Sequence, residues 1–367
     1  MPCVRRHMLI QRLQLQSFRR FAQAEFCPQP GFNLMTGANG SGKSSVLEAL
    51  HLMAHGRSFR GRVRDGLIRE GDSAVQVVVE WQAGNAERRA GMRHTGASWE
   101  ARLDGAPVVH MGTLCEALAV VTFEPGSHGL VQGGSEIRRR YMDWGLFHVE
   151  RGFLPTWRRY ARALKQRNSL LRTKVQPDQL DAWEAELAQA GEKLCEFRES
   201  YVASLQPHLE SAIHDLLPAA GAARLSLQPG WRRHELSLAD GLLLARHRDL
   251  LLGHTSVGPH RADLRLDLEQ LPGREGLSRG QAKLVALGLL LAQAAHLAQH
   301  DGHWPVLSLD DLASELDREH QRRVLQRLRD CAAQVLITGT EPPPALAAMG
   351  IPTARFHVDH ELVLRVG

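Results

Sequence analysis

The sequence predicts an α/β protein whose parallel sheet is interrupted by a helical segment, and three observations support this fold class. A glycine-rich stretch at 37–44 lies between an apolar strand at 32–35 and an amphipathic helix. Apolar residues then recur at alternating spacings of three and four from 183 to 205, which is typical of a long helix with one buried stripe. From 277 to 338 helices alternate with short apolar strands, and this alternation builds a parallel sheet with helices on its faces.

The composition limits the class of protein. The chain has 367 residues, of which 43% are apolar and 23% charged, and its net charge is +5. This length exceeds one ordinary domain, so we expect two domains or one large domain with an insertion. No run of about 18 uncharged apolar residues occurs, which argues against a membrane span. The N-terminus lacks an apolar signal core, and the five cysteines form no C-x-x-C pair, so we expect a cytoplasmic protein without disulfides or bound zinc.

The individual elements follow from periodicity. Alternating and β-branched runs predict strands, and spacings of three and four predict helices. Pro207 should kink or end the long middle helix because proline lacks an amide hydrogen. The predicted strands are 9–15, 32–35, 75–81, 306–309 and 335–338, and the predicted helices are one beginning at Lys43 and those at 154–172, 182–205, 281–299 and 319–329.

The strongest local pattern fits G-x-x-x-x-G-K-[ST]. A strand before it and a helix after it form the context in which a curled loop points backbone N–H groups at phosphate oxygens. Lys43 would neutralise the β- and γ-phosphates of ATP, and the Ser44 hydroxyl would bind Mg²⁺. The alternative is a glycine-rich turn before a helix. The predicted ATP-binding residues are Gly37, Ala38, Asn39, Gly40, Ser41, Gly42, Lys43, Ser44 and Ser45.

An acidic pair ends the segment 306–311. A P-loop needs a carboxylate on a neighbouring strand to hold its metal ion, and this apolar strand with two terminal acids (a Walker B pattern) supplies one. We predict that Asp310 binds Mg²⁺, directly or through water, and that Asp311 orients or deprotonates the attacking water. Without the P-loop, the pair would be interpreted as the N-cap of a helix near Ser314.

A third segment distinguishes between classes of P-loop protein. Residues 277–281, Leu-Ser-Arg-Gly-Gln, resemble the signature LSGGQ of ABC ATPases, with arginine replacing the first glycine. Residues 313–317, Ala-Ser-Glu-Leu-Asp, resemble the D-loop of the same class. The alternative for the signature serine is a simple helix N-cap. The resemblance implies that nucleotide is also contacted by Ser278, Gly280, Gln281 and Asp317.

Resemblance to ABC ATPases implies a dimer. In that class the signature of one chain faces the γ-phosphate in the P-loop of another, so a twofold dimer holds two nucleotides between its subunits. The implied fold is an ABC-type ATPase head, with a P-loop α/β lobe that includes an antiparallel β subdomain, a helical second lobe and no long coiled coil. We assign 1–145 and 256–367 to lobe I and 146–255 to lobe II, with the signature at the edge of lobe II.

Several segments resemble the RecF family of DNA replication and repair proteins. The resemblance runs in order from about residue 9 to 340 and so covers nearly the whole chain. The pieces at 56–60, 164–168 and 258–264 are not general ABC features, which makes it specific. The matching segments are 37–50, 56–60, 138–144, 164–168, 258–264, 278–284 and 310–317.

The RecF resemblance implies an ATP-dependent DNA-binding protein of recombinational repair. Members dimerise with ATP, bind duplex DNA near single-strand gaps, hydrolyse ATP slowly, and help RecR and RecO load RecA, with no membrane partner. Arginine clusters with little aromatic interleaving favour phosphate contacts and salt-sensitive binding. For each cluster the alternative is a solvated arginine-rich face. The clusters are Arg57, Arg60, Arg62 and Arg64, then Arg138, Arg139 and Arg140, then Arg158 and Arg159.

Some positions depart from the ABC pattern. Thr338-Gly339-Thr340 occupies the place of the switch histidine, so Thr338 and Thr340 are the candidates for sensing the γ-phosphate. Gly126 follows Pro125 where the RecF family often has an acid, and no Q-loop glutamine is evident.

Other classes of P-loop protein remain as alternatives. They are a metabolic phosphotransferase, a transporter subunit and an SMC-like or other ABC head outside DNA repair. The region 145–255 is too short for the long arms of SMC proteins. A phosphotransferase would leave the segment at 277–281 without a function.

Overall fold

The computed structural model describes residues 8–61, 66–173, 176–271, 273–331, 333–359 and 362–366. The strands are β1 (Met8–Phe18), β2 (Phe21–Phe26), β3 (Phe32–Thr36), β4 (Val75–Ala83), β5 (Ala86–His94), β6 (Trp99–Leu103), β7 (Ala106–Pro107), β8 (Val120–Phe123), β9 (Ala223–Gln228), β10 (Asp263–Leu268), β11 (Val306–Leu309), β12 (Val335–Gly339), β13 (Thr353–Asp359) and β14 (Leu362–Arg365). The helices are α1 (Lys43–His55), α2 (Met111–Ala117), α3 (Gly129–Gln132), α4 (Ser135–Val149), α5 (Phe153–Arg172), α6 (Asp181–Leu216), α7 (Leu238–Leu252), α8 (Arg279–Asp301), α9 (Leu312–Glu315), α10 (Arg318–Asp330) and α11 (Pro344–Ala348).

A parallel sheet carries the chemistry-bearing loops. Its strand order is β14-β13-β3-β12-β11-β8, and every neighbouring pair is parallel except β13 with β14. β3, β8, β11 and β12 are short and almost entirely buried, as expected for strands covered on both faces. The predicted α/β class is therefore confirmed.

A second sheet is antiparallel and corresponds to the expected β subdomain. Its order is β2-β1-β4-β5-β6-β7, and β1 alternates buried and more exposed residues as a half-buried strand does. The buried side chain of Gln334 links strand β1 of this antiparallel sheet to the parallel sheet. Its amide oxygen accepts from the N–H of Ile10 at 2.8 Å, and its amide nitrogen donates to the carbonyl of Ile10 at 3.0 Å. These bonds satisfy backbone groups beside the irregularity that β1 shows between Ile10 and Arg12.

An apolar helix begins within each of two nucleotide motifs, the P-loop and the signature segment. α1 begins at Lys43 as predicted, and most of its side chains are buried. α8 begins at Arg279, and 67% of its most apolar 18-residue window is buried. By length and composition alone α8 would pass as a membrane span, but such burial is typical of the core helix of a globular protein.

Packing divides the chain into two units. Unit 1 contains Met1–His128, Ala212–Pro218 and Ser278–Gly367, and unit 2 contains Gly129–Ser211 and Ala219–Leu277. These bounds differ from the predicted lobes, because α4 and residues 256–277 pack with the helical unit. The physical reason is an ion pair inside unit 2: the Arg138 guanidinium on α4 donates to Asp263 on β10 at 2.6 Å.

The longest helix, α6, does not end at Pro207, and this part of the prediction was wrong. α6 runs from Asp181 to Leu216 with the proline inside it. Pro207 is exposed, whereas its neighbours Leu205 and Leu209 are completely buried. Burying two leucine side chains contributes about 3–6 kcal/mol, which offsets a proline penalty of about 3 kcal/mol.

A buried charge network organises unit 2. The side chain of Arg167 on α5 is completely buried and donates to Glu184 at 2.8 Å and to Asp249 at 2.7 Å. It also donates to the hydroxyl of Thr255 at 2.9 Å. The neighbouring Asn168 accepts from the N–H of Thr255 at 2.8 Å. The RecF-like segment at 164–168 therefore fixes the chain that leads into the one at 258–264.

We expect Arg167→Leu to lower the free energy of unfolding by about 3–5 kcal/mol, because two carboxylates would lose their buried partner. Urea denaturation followed by circular dichroism measures the change. Arg159→Leu on the same helix is the matched control, since Arg159 pairs with Glu186 at the surface and should matter little. Equal losses in the two variants would contradict a special role for the buried network.

Candidate nucleotide-binding site

In the loop between β3 and α1, the lysine side chain forms hydrogen bonds to the backbone of the same loop. The Nζ atom of Lys43 donates to the carbonyls of Gly37 and Ala38, each at 2.8 Å. Only 9% of Lys43 is exposed. The ammonium group is therefore held at the mouth of the curled backbone, where a phosphate can be bound by charge and by N–H groups together.

Two of the glycines are required by close packing. A Cβ atom on Gly37 would lie 2.3 Å from the carbonyl oxygen of Val358 on β13. One on Gly42 would lie 2.5 Å from the ring of Phe21, and Gly42 has a φ of +111°. No other residue fits either position, so this sequence pattern has a structural cause as well as a functional one.

The remaining loop residues fit a bound triphosphate with a metal ion. The buried Ser41 hydroxyl has no hydrogen-bond partner among the described residues, and a phosphate oxygen would supply one. Ser44 lies partly exposed in the first turn of α1, whereas Ser45 is buried. The N-terminus of α1 adds the positive end of the helix dipole at the loop.

The acidic pair follows β11, separated from the P-loop strand β3 by β12 alone. Asp310 is 3% exposed and accepts from the Thr338 hydroxyl at 2.6 Å. The same hydroxyl accepts from the N–H of Asp311 at 2.9 Å. Asp311 has a φ of +53°, a strained backbone for a residue other than glycine. Thr338 thus fixes the turn that aims both acids, while Thr340 is exposed.

The lysine and the acids share one electrostatic environment. Burial lowers the pKa of Lys43, and the charges of Asp311 and Asp310 oppose this by raising it. The acids must therefore lie near the P-loop ammonium group. A cation at Ser44 and Asp310 would be placed between phosphate and carboxylate oxygens, which are the ligands that Mg²⁺ prefers.

A third carboxylate, Glu124, was missed by the sequence analysis. Glu124 directly follows β8, and the N–H of Asp310 donates to the carbonyl of the preceding residue, Phe123, at 2.8 Å. Glu124 therefore lies beside the acidic pair. Burial raises the pKa of Glu124, and the negative charges of Asp310 and Glu315 raise it further, while the Gly126 N–H and His128 lower it. The sequence signal was the Glu124-Pro125 pair, in which the acid precedes the proline instead of following it.

An arginine from the antiparallel sheet also reaches the P-loop. Arg20, in the turn between β1 and β2, donates to the carbonyl of Gly40 at 3.3 Å. Its neighbour Arg19 donates to the completely buried Glu48 of α1 at 2.6 Å and 3.0 Å. Nothing in the local sequence distinguishes these residues from other surface arginines.

The signature segment is exposed at the start of α8. The Ser278 hydroxyl accepts from the N–H of Gln281 at 3.2 Å, and the Gln281 side chain accepts from the N–H of Ser278 at 2.9 Å. This reciprocal capping box confirms the alternative structural role of Ser278. Both Ser278 and Gly280 are nevertheless exposed, so a ligand from outside can reach them.

Packing against the described residues does not explain why position 280 is a glycine. A Cβ atom there would meet no atom of those residues within 4 Å. Its φ is not positive, and glycine costs a helix up to about 1 kcal/mol relative to alanine. The missing side chain therefore keeps open a surface that the chain itself does not use.

An ion pair links the signature helix to the D-loop. Lys283, two residues beyond the signature, forms an ion pair with Glu315 in which Nζ and Oε2 are 2.6 Å apart, and both side chains are largely buried. Asp317 at the end of the D-loop caps α10 by accepting from the N–H of His320 at 2.9 Å. The two segments that are predicted to face a partner's nucleotide are thus held together within unit 1.

Comparison with known proteins identifies the family. The family model "RecF/RecN/SMC N terminal domain" matches residues 9–348. A protein from Stenotrophomonas maltophilia named "DNA replication and repair protein RecF" is 57% identical over 98% of this chain and 100% of its own length. The protein of the same name from Xanthomonas euvesicatoria is 58% identical over 98% of this chain and 99% of its own. The chain belongs to the RecF family.

Solved structures support the fold. The structure described as "recombination mediator protein RecF-ATP in RecFOR pathway" superimposes with a TM-score of 0.88 at 24% identity and covers 100% of both chains. An Smc head domain from Pyrococcus furiosus gives a TM-score of 0.59 at 15% identity, covering 98% of this chain and 96% of that one. The predicted ABC-type head without a long coiled coil is confirmed for this RecF-family chain.

The predicted arginine clusters divide by burial. Arg138 is 4% exposed, and its charge is matched by Asp263, so its assignment to a DNA-binding cluster was wrong. Arg140 and Arg159 are exposed but paired with Glu136 and Glu186. Arg57, Arg60 and Arg158 are exposed as well, and the guanidinium of Arg60 lies 3.8 Å from the carboxylate of Glu48. Arg62 and Arg64 lie outside the described residues.

We expect Glu124→Gln to stabilise the protein at neutral pH. A carboxyl group whose folded pKa is raised favours folding while it is protonated, and this contribution is lost as the pH rises through the folded pKa. The melting temperature of the variant should therefore exceed that of the parent at pH 8, with a difference that shrinks towards pH 5. Glu116→Gln at an exposed site is the matched control. A difference that does not vary with pH would contradict this assignment.

Proposed function

We propose that this RecF-family chain is an ATP-dependent DNA-binding protein of recombinational repair and replication. The observation that carries the proposal is the incomplete nucleotide site: unit 1 holds a P-loop and an acidic pair, while Ser278 and Gly280 of the signature are exposed, with an unfilled surface at Gly280. A second copy of the chain would complete such a site. ATP would then hold a homodimer together.

The residues of one copy bind the nucleotide and prepare the water. Lys43 and the loop N–H groups bind the β- and γ-phosphates, and Ser44 with Asp310 holds Mg²⁺, which would stabilise charge on the phosphate oxygens. Asp311 orients or deprotonates the attacking water, and the Ser314 hydroxyl, which donates to it at 2.9 Å, sets its rotamer. By analogy with the RecF family, hydrolysis would be slow and serve as a switch, with Thr338 and Thr340 as candidates for sensing the γ-phosphate.

The residues of the other copy complete the pocket. Ser278 and Gly280 would approach the partner's γ-phosphate at the N-terminus of α8, where the helix dipole favours an anion. Gln281 and the D-loop residue Asp317 would contact the same nucleotide. The ion pair between Lys283 and Glu315 keeps these two segments in a fixed relation.

The names of the relatives support the cellular role. Curated relatives at 57–58% identity are DNA replication and repair proteins, and the solved RecF is described as a recombination mediator in the RecFOR pathway. By analogy this chain would be cytoplasmic, bind duplex DNA near single-strand gaps, and help RecR and RecO load RecA. Exposed Arg57, Arg60 and Arg158 would contact phosphates, which makes binding fall with salt.

The test combines particle mass with DNA affinity. Light scattering should show the mass doubling when ATP and Mg²⁺ are added, and filter binding to a gapped duplex should weaken as salt rises. Lys43→Met should abolish nucleotide binding, because the phosphates lose their cation. Asp311→Asn should keep binding but trap the dimer, since ATP is no longer hydrolysed.

Four outcomes would contradict the proposal. An unchanged mass with nucleotide would remove the shared site, and normal hydrolysis by Asp311→Asn would refute the role of that residue. ATP turnover on a small acceptor without DNA would favour a phosphotransferase. Co-purification with a membrane protein and no affinity for DNA would favour a transporter subunit.

Gly280→Ala separates the trans role from folding. The variant should be as stable as the parent or up to about 1 kcal/mol more stable without nucleotide, because alanine favours the helix. Its ATP-dependent dimerisation should weaken by about tenfold or more, as a methyl group enters the shared surface. Gln299→Ala at the exposed far end of α8 is the control. Normal dimerisation of Gly280→Ala would show that the signature does not face a partner closely.

A further inference from the structure

Helix α7 in unit 2 exposes an unusual number of leucines. Nine large apolar side chains are strongly exposed among the described residues, and four of them lie on this one helix. Leu244 and Leu251 are each 75% exposed, Leu243 is 57% exposed and Leu252 is 52% exposed. The concentration of exposed apolar side chains on a single element marks an interaction surface.

The exposed leucines form a strip together with His247 and Arg248, which lie between the two leucine pairs. The opposite face of α7 is anchored by Leu238, Leu242 and Ala245, which are buried in unit 2. Spacings of three, four and seven along the outer face bring side chains into contact on one side of a helix. We call this strip the leucine ridge, and its members are Leu243, Leu244, His247, Arg248, Leu251 and Leu252.

The middle of the leucine ridge is basic. His247 and Arg248 are exposed between the two pairs of leucines, and the guanidinium of Arg248 is held by the Ser256 hydroxyl at 3.1 Å. The acids of α7 lie elsewhere: Asp249 is buried against Arg167, and Asp240 accepts from the Ser237 hydroxyl in the first turn. The positive charge at this centre is that of Arg248, and apolar contacts around it favour a partner that carries the opposite charge there.

Charge also argues against a second copy as the occupant. A twofold pairing of α7 with itself would place the basic centres of the two ridges against each other, and like charges at an interface are costly. DNA is a poor occupant too, because phosphates would cover exposed leucines without burying them against apolar groups. We therefore propose that the leucine ridge docks an amphipathic helix of another protein, with apolar residues on one side and flanking glutamates or aspartates opposite His247 and Arg248.

The test uses the full chain and a designed peptide as the probe. The probe is a fluorescently labelled amphipathic helix of about 20 residues with leucines on one face and glutamates flanking them. Fluorescence anisotropy should show binding that is about tenfold or more tighter than that of a scrambled peptide or of one with lysines replacing the glutamates. No nucleotide is needed, so the result does not depend on the ATP-driven dimer.

Two variants decide whether the ridge is responsible. Leu244→Asp with Leu251→Asp should weaken binding by about tenfold or more, while thermal melting stays unchanged because both side chains are exposed. Val109→Asp, which is 78% exposed in unit 1, is the matched control. Arg248→Glu should reverse the charge preference and favour the lysine peptide, an effect that a merely adhesive surface would not show.

Four results would overturn the proposal. Equal binding of the glutamate and lysine peptides would remove the charge argument, and unchanged binding by the double variant would place the site elsewhere. A halved particle mass of the double variant without nucleotide would identify a second copy as the occupant. Sedimentation with phosphatidylglycerol vesicles that the double variant loses would identify a lipid surface instead.

Discussion

The candidate site depends on the carboxyl edge of the parallel sheet. β3, β12, β11 and β8 are neighbours in that sheet and run in the same direction. The P-loop, Thr338, the acidic pair and Glu124 therefore converge at one edge, although they lie up to 300 residues apart in the chain. Short buried strands fix their spacing, and ligands bind at this edge of open α/β sheets for that reason.

Bringing these groups together at one edge removes several charged side chains from water, which is unfavourable. Lys43 and Asp310 are buried and Glu124 is half-buried, and burial disfavours the charged forms of Lys43 and Glu124. The chain compensates with local partners: carbonyl oxygens for the lysine, the Thr338 hydroxyl for Asp310 and a backbone N–H for Glu124. A site of this kind has charges arranged before a ligand arrives, so little reorganisation accompanies binding.

The sequence predicted the parts of the site that are contiguous in the chain. The P-loop and the acidic pair are recognisable because their backbone conformations need fixed residue types at fixed spacings. Glu124, Arg20 and the Lys283–Glu315 pair depend on which strands and helices become neighbours, and no local pattern reports that. The predictions for Pro207 and Arg138 were wrong for a related reason. Pro207 lies on the exposed side of its helix, whereas Arg138 lies on the buried side of its helix.

The buried guanidinium of Arg167 has a consequence for how unit 2 assembles. Arg167 on α5 and its partners come from three stretches of the chain, because Glu184 lies near the start of α6 while Asp249 and Thr255 lie at the end of α7 and just after it. A partly assembled intermediate that sequestered this cation with only some of them would carry an uncompensated charge in a dry interior. Such intermediates are penalised, so these stretches should order in a single concerted transition and leave few half-formed species available to aggregation or proteolysis.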